Sequence, residues 1–190
     1  MRIISGEHKG RKLKIGGDRI RPTEGKVREA IFNILPHDLS DASVLDVFAG
    51  TGALGIEALS RGAFTAVFVD SGRESARIIK ENVKELGLSE RARVIAKKAG
   101  PAINLLSAEG TCFNLVFMDP PYHSGEDGRA LEMIEKKGVL KNGALVIVEH
   151  HPRQKLSDDY GMLHLFDKRK YGGTAISFYR YGEEEDEDDF

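Results

Sequence analysis

Cysteine is nearly missing: Cys112 stands alone among 190 residues. A lone thiol cannot close an internal disulfide or supply a cysteine-based zinc site. Long apolar runs are missing too. No stretch approaches the roughly 18 residues that a membrane span requires, and Met1-Arg2-Ile3-Ile4-Ser5-Gly6 has no secretory apolar segment. Net charge is equally scarce, with 28 Lys+Arg against 30 Asp+Glu and a total of −2. These absences predict a soluble, cytoplasmic chain with no membrane partner. At this length one domain is the default, and it buries enough surface to need no crosslink or metal.

A total near zero argues against a nucleic-acid partner. Its distribution argues the other way. Nine basic side chains fall within positions 1–28 (Arg2, Lys9, Arg11, Lys12, Lys14, Arg19, Arg21, Lys26 and Arg28), opposed only by Glu7, Asp18 and Glu24. At the other end, Glu183 to Asp189 is seven acidic residues in a row. Such a run repels itself and is expected to stay disordered. The remaining body is therefore basic.

The pattern divides the chain into a basic arm over 1–23, a domain over 24–182 and an acidic tail over 183–190. In the arm, Arg2–Gly6 and Arg11–Ile15 alternate as a short β-hairpin would. Thr23 is placed to cap a helix with apolar positions Val27, Ala30, Ile31 and Ile34, and Pro36 ends it. Apolar runs at 44–48, 66–69, 93–96, 115–118 and 144–148 read as strands of a parallel sheet covered on both faces. Helices are expected up to about Arg61 and over 73–86, with Gly87 terminating the second. Segments 162–171 and 174–181 around Gly172-Gly173 read as a closing antiparallel hairpin. The fold class is α/β: a mostly parallel, seven-stranded, Rossmann-like sheet ending in a hairpin, the methyltransferase variant of the doubly wound fold.

Asp46-Val47-Phe48-Ala49-Gly50-Thr51-Gly52-Ala53-Leu54-Gly55 holds a G-x-G-x-x-G between a strand and a helix, with Asp70 closing the next strand. Glycines there permit a tight turn and let a ligand approach the backbone. The turn fits an adenosine-type cofactor and does not by itself separate a nicotinamide dinucleotide from S-adenosylmethionine. Asp46 tips the balance, because a carboxylate opposes a pyrophosphate and suits a cationic methionyl group.

Asp119-Pro120-Pro121-Tyr122 follows the fourth strand, at the carboxyl edge where open α/β sheets bind ligands. Two prolines remove two N–H donors and leave carbonyl acceptors. Asp119 adds a carboxylate, and Tyr122 a flat face on which a base can stack. The set suits a planar amine with two N–H donors, such as the exocyclic nitrogen of a nucleobase. His150-His151-Pro152 has no third ligand nearby and reads as a polar strand exit rather than a metal pair.

Arg2-Ile3-Ile4-Ser5-Gly6, Lys9-Gly10-Arg11, Arg21-Pro22-Thr23, Val27 to Asn33 and the 46–55 turn occur in the order found in the RsmD family. The chain resembles these bacterial enzymes, which methylate N2 of a guanine in 16S ribosomal RNA, over about residues 1–181. The resemblance implies an S-adenosylmethionine-dependent methyltransferase, monomeric, acting on 16S RNA or the small ribosomal subunit. It implies catalysis by Asp119, Pro120, Pro121 and Tyr122, and cofactor contacts at Asp46, Phe48, Ala49, Gly50, Thr51, Gly52 and Asp70. Substrate contacts are expected from Arg2, Lys9, Arg11, Arg21, Thr23 and Arg28. One departure stands out: many relatives of the fold place an acid after the third strand to read adenine, and here Ala96-Lys97-Lys98-Ala99 offers none. Adenine-N6 methylation of DNA, a nicotinamide-dependent reductase and a non-catalytic RNA-binding assembly factor are the rival readings.

Overall fold

The computed structural model describes residues 1–16, 25–121 and 126–182. Five parallel strands form as the apolar runs predict: β1 (Ser43–Val47), β2 (Thr65–Val69), β3 (Ala92–Ile95), β4 (Phe113–Met118) and β5 (Leu140–His150). Three antiparallel strands follow, β6 (Asp159–Tyr160), β7 (Leu163–Tyr171) and β8 (Thr174–Tyr181). The sheet order is β3-β2-β1-β4-β5-β8-β7-β6. Among the described residues it therefore has eight strands rather than seven; the extra one, β6, is two residues long and too short to leave a sequence pattern.

Among the described residues five α-helices cover the sheet: α1 (Gly25–Ile34), α2 (Ala53–Ser60), α3 (Arg73–Glu85), α4 (Ala99–Ala108) and α5 (Glu126–Lys136). Val27, Ile31 and Phe32 of α1 join Leu54 and Leu59 of α2 and Ile79 and Val83 of α3 in one core layer. Ile103 and Leu106 of α4 and Leu131 and Ile134 of α5 fill the other. Strand residues alternate between these layers, so both faces of the sheet are apolar and its C-terminal edge is left as the polar crevice. Helix α1 stops at Ile34, just ahead of Leu35-Pro36. Thr23, its expected cap, lies outside the described residues, as does the tail from 183 onward. No helix among the described residues is long and apolar enough to cross a membrane.

Over residues 1–16 the arm has the backbone pairing of a short hairpin, and further contacts hold it in place. It folds back on itself with one antiparallel bridge, Arg2 to Lys12, and bonds such as Ile3 N–H to the Arg11 carbonyl at 3.0 Å. Its stability comes from elsewhere. Ile3 and Leu13 enter the α1–α3 core layer, and the Glu57 carboxylate of α2 accepts the Ile4 and Ser5 N–H groups, each at 2.9 Å. An isolated two-stranded hairpin is marginal in water. This segment is held by helix α2 instead.

Candidate active site

The crevice opens where β1 runs into α2. Phe48, Gly50 and Gly52 have φ of 62°, 55° and 76°, so the chain turns sharply through left-handed backbone. Phe48 is the non-glycine among them, a conformation that costs roughly 1–3 kcal/mol and collects at functional sites. Gly52 caps α2 in that conformation, where no side-chain bond serves. A Cβ on Gly55 would lie 2.4 Å from the Phe68 ring, so the third glycine lets helix α2 pack directly on β2.

Two carboxylates brace this turn. Asp46 lies beneath it, 3 % exposed, and accepts the Gly55 N–H at 2.9 Å. Burial drives its carboxyl up to about 8, against the lowering effect of the Gly55 bond and with a further push from the Asp70 charge. Burial thus favours the protonated form of Asp46 at neutral pH. Asp70, at the end of β2, accepts the Gly50 N–H at 2.8 Å and the Gly72 N–H at 2.7 Å, tying the two strand-to-helix turns together. Phe48, Ala49, Gly50 and Asp70 are half-buried and form the open rim, while Thr51 is buried and packs behind it. A backbone rim with a strand-end acid fits an adenosine-type cofactor.

Across the β1–β4 pair, the Asp119 N–H reaches the Val47 carbonyl at 3.4 Å, so Asp119-Pro120-Pro121 begins where the glycine turn begins. Asp119 is half-buried, Pro120 buried and Pro121 exposed. Tyr122 lies outside the described residues. The two motifs, more than 60 positions apart in sequence, share one edge of the sheet.

The expected substrate contacts separate. Arg2, Lys9 and Arg11 are exposed on the arm; the Arg2 guanidinium bonds the Gly10 carbonyl at 2.7 Å and that of Arg11 the Glu85 carbonyl at 3.1 Å. Arg21 and Thr23 lie outside the described residues. Arg28 is a correction. It is 1 % exposed, bonded to the Arg2 carbonyl at 2.5 Å and 3.5 Å from Glu57, so its charge is spent inside the protein. Its pairing with an internal acid was invisible in the local basic run.

Asn82 of α3 escaped the sequence reading. Buried, it accepts the Lys14 N–H at 2.8 Å and donates to the Lys14 carbonyl at 3.1 Å and the Thr51 carbonyl at 3.3 Å. One amide thus clips the arm to the glycine turn. Mid-helix Asn carries no motif, so only the three-dimensional contact reveals it. His150 binds the Ser177 hydroxyl through Nε2 at 2.9 Å, and among the described residues no group of three or more His, Cys, Asp or Glu is placed to hold a metal.

Comparison with known proteins places this architecture. A family model described as conserved hypothetical protein 95 matches residues 1–180. Ribosomal RNA small subunit methyltransferase D of Escherichia coli K12 is 35 % identical over 181 residues, covering 95 % of this chain and 89 % of that one. The chain belongs to the RsmD family. Its Haemophilus influenzae counterpart, of the same name, is 36 % identical over 151 residues and 78 % of each chain. Among solved structures, the Escherichia coli protein yhhF superposes with a TM-score of 0.82 at 35 % identity, covering 97 % of this chain and 99 % of that one. An RNA methyltransferase from Salinibacter ruber, bound to S-adenosylhomocysteine, reaches a TM-score of 0.65 at 17 % identity over 88 % of this chain and 98 % of that one, a likeness of fold alone. The RsmD-family chain thus has the Rossmann-like methyltransferase fold that its strand pattern predicted.

Proposed function

We propose that this protein transfers the methyl group of S-adenosylmethionine to the exocyclic N2 amine of a guanine in 16S ribosomal RNA. The observation that carries the reading is the shared strand edge, with Asp119-Pro120 beside the glycine turn. The cofactor, when bound, supplies an electrophilic methyl group on a sulfonium; the amine nitrogen forms the new N–C bond as the C–S bond breaks and leaves a neutral thioether. Phe48, Ala49, Gly50, Gly52 and Asp70 would hold it, with Thr51 behind that rim and Asp46 beneath.

The chain's own contribution is orientation. A purine amine is a weak nucleophile, because its lone pair is delocalised into the ring. Accepting its two N–H bonds at the Asp119 carboxylate and the Pro120 carbonyl favours a tetrahedral nitrogen and disperses the developing positive charge. Asp119 then takes the surplus proton. Pro121 stiffens the loop, and Tyr122 provides the face for a base turned out of its helix. Arg2, Lys9, Arg11, Arg21 and Thr23 form the phosphate-facing side, so residues 1–23 act as the RNA arm and 24–182 as the catalytic domain of a cytoplasmic monomer.

The reading is supported by the names of the relatives, two of which are ribosomal RNA small subunit methyltransferases. Transfer of labelled methyl to small subunits lacking the modification, followed by mass spectrometry of the nucleosides, tests it. N2-methylguanosine is the expected product. Label confined to adenine in duplex DNA overturns the RNA and guanine assignments, and no label on either substrate overturns the reaction.

A further inference from the structure

Parallel register brings a second carboxylate to the same edge. Strands β4 and β5 pair Phe117 with Ile147 and Met118 with Val148, and that register continued one step past the end of β4 brings Asp119 level with Glu149. The face is fixed from both sides. Phe117 and Ile147, two residues before each acid, belong to the core layer under α1, and Glu149 pairs across β8 with Ile176 of that same layer. Asp119 and Glu149 therefore project on the face that carries α1 and the arm. His150, the next residue, turns to the opposite face and bonds Ser177. Glu149 is only 8 % exposed and follows the buried apolar run Val146-Ile147-Val148.

We infer that Glu149 reads the Watson–Crick edge of the target base, accepting from guanine N1–H while Asp119 and Pro120 hold the neighbouring amine. The inference rests on the guanine-N2 reading above. Adjacent strands lie about 4.8 Å apart, close enough for two side chains to meet adjacent donors of one base. An ionised carboxylate is an acceptor only. Guanine presents a donor at N1 beside its amine; adenine presents an acceptor there, which a carboxylate repels. Glu149 thus makes the choice of base, and Asp119 orients the reacting nitrogen. Reading a flipped base through this edge is the common device of enzymes that work on bases.

2-Aminopurine separates the two roles, because it keeps the amine and carries an acceptor at N1. Small subunits are reconstituted with RNA holding either guanine or 2-aminopurine at the modified position, and kcat/KM is measured for each. Wild-type protein is expected to prefer guanine by at least about 10²-fold, since a site built for a donor rejects an analogue without it. In Glu149→Gln, whose amide can donate to the N1 acceptor, that preference is expected to fall at least about tenfold. Cofactor affinity by calorimetry stays unchanged, which also reports an intact fold. Glu149→Asp keeps the charge and withdraws it by one methylene, so it is expected to raise KM for guanine substrate and retain the preference. Equal losses on both substrates in Glu149→Gln, with the preference ratio unchanged, overturn the assignment. Failure of the wild-type protein to methylate any guanine overturns the underlying reading instead, and the two failures are distinguishable.

Discussion

Asp46 shows how far a single site can move a residue from its chemistry in water. Its carboxyl, near 4 in an exposed chain, rises to about 8 because burial beneath the glycine turn strips its solvent. The sign of the pH effect follows. The folded protein keeps this proton between pH 4 and 8 while the unfolded chain has lost it, so burying Asp46 weakens stability as pH rises through that window and the effect levels off above 8. Asp46→Asn, which keeps an oxygen for the Gly55 N–H, is expected to gain thermal midpoint over wild type from pH 4 to pH 8; a constant difference across that range counts against the buried proton. Asp119→Ala is expected to abolish methyl transfer and leave cofactor affinity nearly intact, read by calorimetry beside a turnover assay. Both acids were legible from their motifs as lining the crevice edge. What the sequence hid was the surroundings of particular side chains. The proton on Asp46 depends on packing, and the burial of Arg28 depends on Glu57, which lies 29 positions away.

At the scale of elements, legibility followed hydrophobic pattern. Apolar runs bounded by glycine placed β1 to β5 within a few residues, and Gly87 ends α3 as expected, with φ at 71° and the Leu88 N–H returned to the Val83 carbonyl at 2.9 Å. Helix α4, opening Ala99-Gly100-Pro101, and α5, with Gly128 inside, carry residues that weaken the helical signal. The arm's alternation suggested self-pairing, which the Arg2–Lys12 bridge and the Leu13 N–H to Met1 carbonyl bond at 3.0 Å display; what left no sequence pattern is its second set of partners, Glu57 and Ser60 of α2. Two of its glycines make the distinction measurable. Gly6 and Gly10 both have φ of 82°, yet a Cβ on Gly6 would lie 1.8 Å from the Ser60 carbonyl oxygen and one on Gly10 meets nothing within 4 Å. Gly10→Ala is expected to cost only the backbone conformation, roughly 1–2 kcal/mol. Gly6→Ala must also part the arm from α2, and is expected to cost more than that, by about 2 kcal/mol or above. Chemical denaturation of the pair checks it, and equal losses would mean that the arm does not bear on α2.

For the molecule as a whole, the near-zero net charge conceals a basic arm fixed on a folded body, since Lys9 and Lys12 are exposed while Ile3 and Leu13 anchor the same segment. A phosphate-tracking role makes affinity for ribosomal RNA fall with salt, and removing Lys9 and Lys12 together is expected to flatten the slope of log affinity against log salt by about one per lysine. An unchanged slope would place the RNA elsewhere. The order of the sheet has a consequence for how the chain is made. Strand β8, the last in chain order among the described residues, is not at the margin; it is wedged between β5 and β7. Until Thr174–Tyr181 leaves the ribosome, the β5 edge has no partner on that side, and the α1–α3 core layer lacks Ile176 and Phe178. Vectorial folding cannot finish early in such a topology, because the final strand completes both the sheet and its core. A nascent chain halted at Gly173 is therefore an open-edged, aggregation-prone species.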